Sequence, residues 1–505
     1  MIRPLRVLAA TGRIAQLFSF LMLVPIPFAL VYEPWDLQLG PVSLPLNVLV
    51  FLGSFLVAAA FWAPAAWASR SVRLEDLQDR EAYLTVGAGW LVLVALATLP
   101  FLFSGTLRNP ADAFFEAMSG LTTTGSTVID VPLESVDRSV MLWRGLLQYL
   151  GGMGIIVLSV ALLARLTHGG MQLLAAETPG TEVTRIRPRL AQTAKTLWLL
   201  YAGFSVVFLA VFLLLMRFHI GMDWSDALYD AVLHTFTTLA TGGFSNHSES
   251  MGYYDSVWVE VLVTFFMLLG GISYTLHYHW LHGDLKRLWR DQELRLYLGI
   301  VGGSMLLLTM LLVRGGESFG AAFRGVSFTV ASLITSSGFG TVDFDAWPAA
   351  TKLVLLLLMF TGGMSGSTSG GMKVLRVLIL MKLVKRQFLK LRHPNAVTPV
   401  RMGKTVIKET TLFTVGAFVA LFVGLWLAGT FVLTVFDPSL ALLDAASASV
   451  SAVGNMGPGF GVVGPTQGYW SLTPLSKVVL ALLMWIGRLE VFAALLVLSP
   501  RSWRS

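Results

Sequence analysis

Apolar runs alternate with short polar stretches along this chain, and the runs fall into two length classes. The long class approaches the roughly 20 residues that a helix needs to cross hydrocarbon. It predicts spans near residues 17–32, 48–67, 86–104, 141–163, 197–215, 257–278, 296–312, 352–383, 411–435 and 476–498. The short class covers 111–119, 225–238, 319–332 and 440–451, one inside each of the last four pairs of spans. A run of that length cannot cross, so each must enter the membrane and return through a loop surrounded by protein or lining a water path. The pattern predicts an all-α polytopic membrane protein with ten crossings and four half-crossings. A two-helix N-terminal addition occupies 1–80. Four pseudo-symmetric helix–pore-loop–helix units follow at 81–180, 181–290, 291–395 and 396–505.

Each short run leads into small residues and a glycine. The copies are Leu121-Thr-Thr-Thr-Gly125, Leu239-Ala-Thr-Gly-Gly243, Ile334-Thr-Ser-Ser-Gly338 and Val453-Gly-Asn-Met-Gly457. Four long, equivalent units each offering such a loop predict one pore built in a single chain. Glycine leaves room for backbone carbonyls at an axis and reaches angles closed to other residues. The candidate lining is Thr123, Thr124 and Gly125; Thr241, Gly242 and Gly243; Ser336, Ser337 and Gly338; and Asn455, Met456 and Gly457. Neutral carbonyl and hydroxyl oxygens suit a weakly hydrated monovalent cation, whereas a carboxylate ring would favour harder or divalent ions. The copies are not identical. Asn455 and Met456 stand where the first loop has Thr123 and Thr124, and Phe244 and Phe339 follow the glycine where the first loop has Ser126.

Composition narrows the picture further. With 55% hydrophobic and 13% charged residues this is no ordinary soluble enzyme. The absence of cysteine excludes disulfides, thiolate catalysis and cysteine metal sites. The net charge of +7 sits mostly in short loops, as positive-inside topology requires, and implies no nucleic-acid partner. Arg185, Arg187, Arg189, Lys195, Lys286, Arg287, Arg290, Arg295, Lys385, Arg386, Lys390, Arg392, Arg401 and Lys404 are expected on the cytoplasmic side, as is the charged stretch 70–81. Asp112, Glu116, Asp130, Glu134, Asp137, Asp223, Asp226, Asp230, Glu249, Asp255, Asp343 and Asp345 are expected outside, as an acidic vestibule of mostly solvated carboxylates. His277, His279 and His282 sit beside Tyr274, Tyr278 and Trp280, which favours interfacial anchoring over metal binding.

Two motifs break the apolar pattern. Gly362, Gly363, Gly366, Gly370 and Gly371, with four small hydroxyl residues among them, interrupt what would otherwise be one helix. Lys373 follows directly and either anchors this break or marks the inner half of the membrane. Arg488 lies among apolar residues, where a charge is costly and faces a cavity or a partner. Glu490 is two residues on and belongs to another helix face.

The stretches Leu121-Thr-Thr-Thr-Gly-Ser-Thr127, Thr241-Gly-Gly-Phe-Ser245, Thr335-Ser-Ser-Gly-Phe339 and Asn455-Met-Gly-Pro-Gly459 resemble the Trk/Ktr/HKT superfamily of potassium transporters. The run from Gly362 to Lys373 and Gly487-Arg-Leu-Glu490 match it as well, and the likeness is strongest to the bacterial Trk-type membrane subunit. The resemblance implies a multi-pass protein of the bacterial inner membrane, not an enzyme, with potassium as transported ligand and no organic cofactor. It makes Gly125, Gly243, Gly338 and Gly457 the filter glycines, and glycine rather than serine at 125 favours potassium. It makes the 362–372 break an intramembrane gating loop and Arg488 a constriction of the path. It also implies a homodimer in membrane lipid and a cytoplasmic Trk-type nucleotide-binding regulatory subunit. A sodium-permeable or sodium-coupled transporter of the same fold stays open as the alternative.

Overall fold

Apolar surface buried between helices organises the molecule, and the computed structural model describes it for residues 4–39, 42–68, 79–165, 189–403 and 405–500. Arg185, Arg187, Lys404 and most of the 70–81 stretch lie outside the described residues. Among those described, six helices are long and apolar enough to cross a membrane, and the bent pair Val257–Gly270 with Tyr274–Leu281 makes a seventh if it counts as one span.

The first segment is one candidate span, Arg6–Tyr32, that starts earlier than the expected 17–32. It forms Pro4–Leu21 and Ile26–Tyr32, separated by a turn in which Pro25 ends one hydrogen-bond ladder and starts the next. A small antiparallel hairpin, Leu37–Leu39 with Val42–Leu44, leads to the helix Leu46–Ala68. Buried Glu33 fastens this part to the rest. Its carboxylate accepts from Asn47 Nδ2 and from the Ser139 backbone N–H, both at 2.9 Å.

Four short helices follow the expected half-crossings: Pro110–Leu121, Trp224–Leu239, Phe319–Ile334 and Leu442–Gly454. Each comes after a long helix (Asp79–Phe103, Arg189–Leu215, Gln292–Arg314 and Glu409–Phe436, in order). Each also packs against a helix that follows another of the short ones. Pro110–Leu121 lies on Pro474–Arg488, and Trp224–Leu239 on Arg138–Arg165. Phe319–Ile334 lies on Val257–Gly270, and Leu442–Gly454 on Ala349–Thr361. The packing therefore runs in a closed circle.

Three of the helices that follow the short ones are broken. The break between Ala349–Thr361 and Val374–Arg392 falls on the glycine-rich motif. The other two correct the sequence expectation of continuous helices at 257–278 and 476–498. Val257–Gly270 turns by 103° into Tyr274–Leu281. A methyl on Gly271 would lie 2.7 Å from the Tyr297 hydroxyl and 2.8 Å from Thr335 Cγ2, so a glycine lets neighbours close on the bend. The last helix stops at Arg488, where Glu490 and Val491 take φ of +57° and +59°, and restarts as Phe492–Leu498. The Glu490 carboxylate is drawn sideways into an ion pair with Arg376 at 2.5 Å. That interaction is invisible to local helix propensity.

Candidate functional site

The four short helices end alike. In each, the N–H just before the key glycine bonds the carbonyl five residues back: Thr124 to Ser119, Gly242 to Thr237, Ser337 to Ser332 and Met456 to Ser451, at 2.8–2.9 Å. This six-to-one closure needs a left-handed residue between, normally glycine. Here Thr123, Thr241, Ser336 and Asn455 hold φ of +54°, +51°, +55° and +54°. For residues bearing a Cβ that conformation costs roughly 1–2 kcal/mol apiece. The strain is repeated four times in buried positions, which marks the turn as a site rather than a packing accident. The glycines that follow, Gly125, Gly243, Gly338 and Gly457, are left-handed too.

The loops interlock as a ring. A methyl on Gly125 would run into the carbonyl oxygen of Gly242, and one on Gly243 into that of Ser337. On Gly338 it would lie 2.6 Å from the Met456 oxygen, and on Gly457 2.8 Å from the Thr124 oxygen. Each glycine thus abuts the carbonyl preceding the next glycine, and the fourth loop returns to the first. All four glycines line one cavity of about 80 Å³, shared with the residues that follow them, including Ser126, Phe244 and Pro458. Two places before each glycine, none of the four carbonyl oxygens (Thr123, Thr241, Ser336, Asn455) meets a protein donor among the described residues. Adjacent positions differ from copy to copy: Gly242 O accepts from Gln148 Nε2 at 2.6 Å, and Gly454 O from the Gly371 N–H at 2.8 Å. Four equivalent carbonyls without donors stand at the C-terminal ends of four helices, where the helix dipoles add negative potential.

The glycine-rich break lies against this ring. Ser336 Oγ accepts from the Gly370 N–H, and Thr368 Oγ1 bonds the carbonyls of Leu239 at 3.1 Å and Gly270 at 3.2 Å. The Met364 N–H donates to Gly271 O at 2.8 Å, and Gly366 O accepts from the Tyr274 N–H at 3.1 Å. Gly362, Gly366, Gly371 and Lys373 all have positive φ, and Gly363 lies so close to Gly271 O that a methyl would approach it to 2.8 Å. Lys373 Nζ donates to Ser369 O at 2.6 Å. Arg488, 2% exposed, donates to Thr368 O at 2.9 Å and to Gly151 O at 3.2 Å. Both cations therefore donate to backbone carbonyls of the break, and Arg488 also ties it to Gly151 of the helix Arg138–Arg165.

Residues 50–505 match the TrkH family, described as cation transport protein. The chain belongs to that family. It is 37% identical over 499 residues to the Trk system potassium uptake protein TrkH of Escherichia coli (strain K12), covering 98% of each chain. The Trk system potassium uptake protein TrkG of the same strain is 32% identical over 498 residues, 98% of this chain and 97% of that one. The crystal structure of the potassium transporter TrkH from Vibrio parahaemolyticus matches with a TM-score of 0.86 at 32% identity, over 100% of both chains. This TrkH-family chain is a multi-pass protein of the inner membrane, and its family is one of transporters rather than enzymes.

Several residues of this TrkH-family protein play parts that the sequence did not assign. Glu116 is not a solvated vestibule carboxylate. It is fully buried, 2.7 Å from Arg144 Nε, and accepts from the Val128 N–H at 2.9 Å. Arg144 also donates to Ser245 O and stacks its guanidinium 3.8 Å from the Phe244 ring centre. Asp230 is buried as well, bonded to Asn246 at 2.8 Å, His247 at 3.0 Å and the Tyr254 hydroxyl at 2.6 Å. Gln148 grips the second loop from behind, donating to Gly242 O and accepting from the Phe244 N–H at 3.1 Å. The available signal was a polar side chain inside an apolar span. His277 is no interfacial anchor: burial encloses it and its Nε2 lies 2.9 Å from Leu269 O. His282 remains exposed at the helix end.

Proposed function

We propose that this chain takes up potassium across the inner membrane through one gated passage whose filter is the four-loop ring. The observation that carries the reading is the ring's closure, with Thr123, Thr241, Ser336 and Asn455 each bringing a carbonyl without a protein donor to it. Neutral oxygens in that number can replace the hydration shell of a potassium ion without trapping it. Thr124, Gly125, Gly242, Gly243, Ser337, Gly338, Met456 and Gly457 set the spacing of the ring. The four units at 81–180, 181–290, 291–395 and 396–505 each contribute one loop. The break from Gly362 to Gly371 acts as the gate, with Lys373 and Arg488 placing positive charge beside it. A charge there opposes a cation in the passage and falls away when the break moves.

The relatives are named as parts of a Trk system, which supports further components. In this reading a cytoplasmic nucleotide-binding subunit biases the break, and the chain works as a homodimer. The test is ion flux into vesicles containing the purified chain, with potassium or sodium as the only permeant cation. Potassium flux well above sodium flux is expected. Equal fluxes would favour the sodium-permeable alternative, and no flux of either ion would end the transport reading.

A further inference from the structure

Gly457 is unlike the other three glycines in one respect. Its carbonyl oxygen accepts three hydroxyl donors: Ser126 Oγ at 2.8 Å, Ser451 Oγ at 2.8 Å and Tyr469 OH at 2.9 Å. A carbonyl has two lone-pair directions, so three donors saturate it. Among the described residues no protein donor reaches the carbonyls of Gly125, Gly243 or Gly338.

The donors come from both sides of the seam between the fourth loop and the first. Ser451 belongs to the short helix of the fourth loop itself. Its counterparts are used otherwise: Ser332 Oγ bonds Phe339 O at 2.7 Å and Thr237 Oγ1 bonds Leu233 O at 3.2 Å. Ser126 follows the first glycine, where the second and third loops carry Phe244 and Phe339. Tyr469 comes from the segment between the fourth loop and the last long helix. Its N–H donates to Thr127 O at 2.8 Å, its ring lies 5.4 Å from that of Phe115, and it is 2% exposed. It thus grips the first loop by its backbone and the fourth by its hydroxyl.

We infer that Tyr469 and Ser126 are positioning residues that hold the Gly457 carbonyl off the ion path, so that the cavity end of the ring offers three glycine carbonyls rather than four. This rests on the filter reading above. An ion at a three-ligand layer keeps part of its hydration and is held less tightly, which speeds its passage between cavity and ring. The break in fourfold symmetry at Ser126 is then a device that tunes this layer.

The test uses the full chain in vesicles, comparing wild type with Tyr469→Phe, Ser126→Ala and the double variant. Phenylalanine keeps the ring on Phe115 and removes only the hydroxyl. With Ser451 left as its one hydroxyl donor, the carbonyl regains a lone pair for the ion and the layer closes to four ligands. The double variant should therefore lower the KM for potassium by about three- to tenfold and reduce maximal flux with it. Each single variant should move the same way by less. An assembled double variant whose KM is unchanged or raised overturns the inference, because a loosened loop weakens binding. If the double variant fails to assemble, the single variants decide by the same criterion. Gly125→Ser, run alongside, separates the two readings. A changed potassium-to-sodium ratio there with unchanged KM in the tyrosine and serine variants sinks only this inference. An unchanged ratio in Gly125→Ser sinks the filter reading and this inference with it.

Discussion

Arg488 Nη1 donates to the carbonyl oxygen of Thr368 at 2.9 Å, so the last residue of one helix holds the middle of the glycine-rich break. Thr368 in turn bonds Leu239 O, at the end of the second short helix. The ring, the break and the arginine are therefore one hydrogen-bonded stack, and removing the arginine should act on the break before it acts on the ring. In Arg488→Ala, potassium flux without any cytoplasmic partner should rise about tenfold, equivalent to ~1.4 kcal/mol off the barrier. Arg488→Lys keeps the charge and should stay near wild type. Flux assays normalised to assembled protein check this. An assembled alanine variant with unchanged flux would remove the barrier role and leave the ring untouched.

The buried pair Glu116–Arg144 makes a prediction about stability. Both groups are out of water, and each also serves a loop backbone, Glu116 at Val128 and Arg144 at Ser245. Removing one partner strands the other charge, at a cost of about 3–5 kcal/mol. Glu116→Ala should therefore lower the Tm sharply in detergent, and the double Glu116→Leu/Arg144→Met should recover most of the loss. Equal Tm values for the single variant and wild type would mean that the pair contributes nothing.

The ring was legible because its signals are local. An apolar run too short to span and a glycine four residues past its apolar end can be read from a dozen residues at a time. The breaks at 270–274 and 488–492 were not, because their causes lie elsewhere in the chain. The Arg376–Glu490 ion pair joins residues 114 apart, and the Gly271 bend is packed by Tyr297 and Thr335. Glu116 and Asp230 were misread for a related reason. A carboxylate near a loop gives its type but not its depth, and depth is set by Arg144 and by Asn246, His247 and Tyr254. Gln148 reaches Gly242 across 94 residues, so no window of sequence contains both.

Glu134, in the loop before the helix Arg138–Arg165, gives a pH prediction. Partial burial pushes its carboxyl up, but the Ser248 N–H at 2.8 Å and hydroxyl at 2.7 Å, with His247 nearby, hold it below its ordinary value of 4.5. A carboxyl depressed in the folded state adds stability above its unfolded pKa and loses it as pH falls through the folded value. The Tm should fall on acidification below about 4.5. Glu134→Gln should flatten part of that fall while lowering the Tm at neutral pH. Parallel curves for the two proteins would show that the Ser248 contact does not titrate with folding.

The break itself can be shortened. Residues 366–370 contain Thr368 and Ser369, whose carbonyls receive Arg488 and Lys373, and Thr368 Oγ1 bridges Leu239 and Gly270. Deleting them removes the cations' acceptors and the contacts of the break with the ring at Ser336 and Leu239. The remaining link would have to span from Gly363 to Gly371 with fewer contacts. If the break is a gate, flux without a cytoplasmic partner should rise at least as far as in Arg488→Ala, and adding Arg488→Ala to the deletion should raise it little further. If it only relieves helix packing, flux should stay at the wild-type level while the Tm falls. Thr368→Val separates these outcomes with a smaller change, because it removes the bridging hydroxyl and leaves the carbonyl for Arg488. It should raise flux by an intermediate amount, about two- to fivefold, as the loss of one hydrogen bond worth ~0.5–1 kcal/mol predicts. An assembled Thr368→Val protein with wild-type flux, together with a silent deletion, would return the break to a packing role.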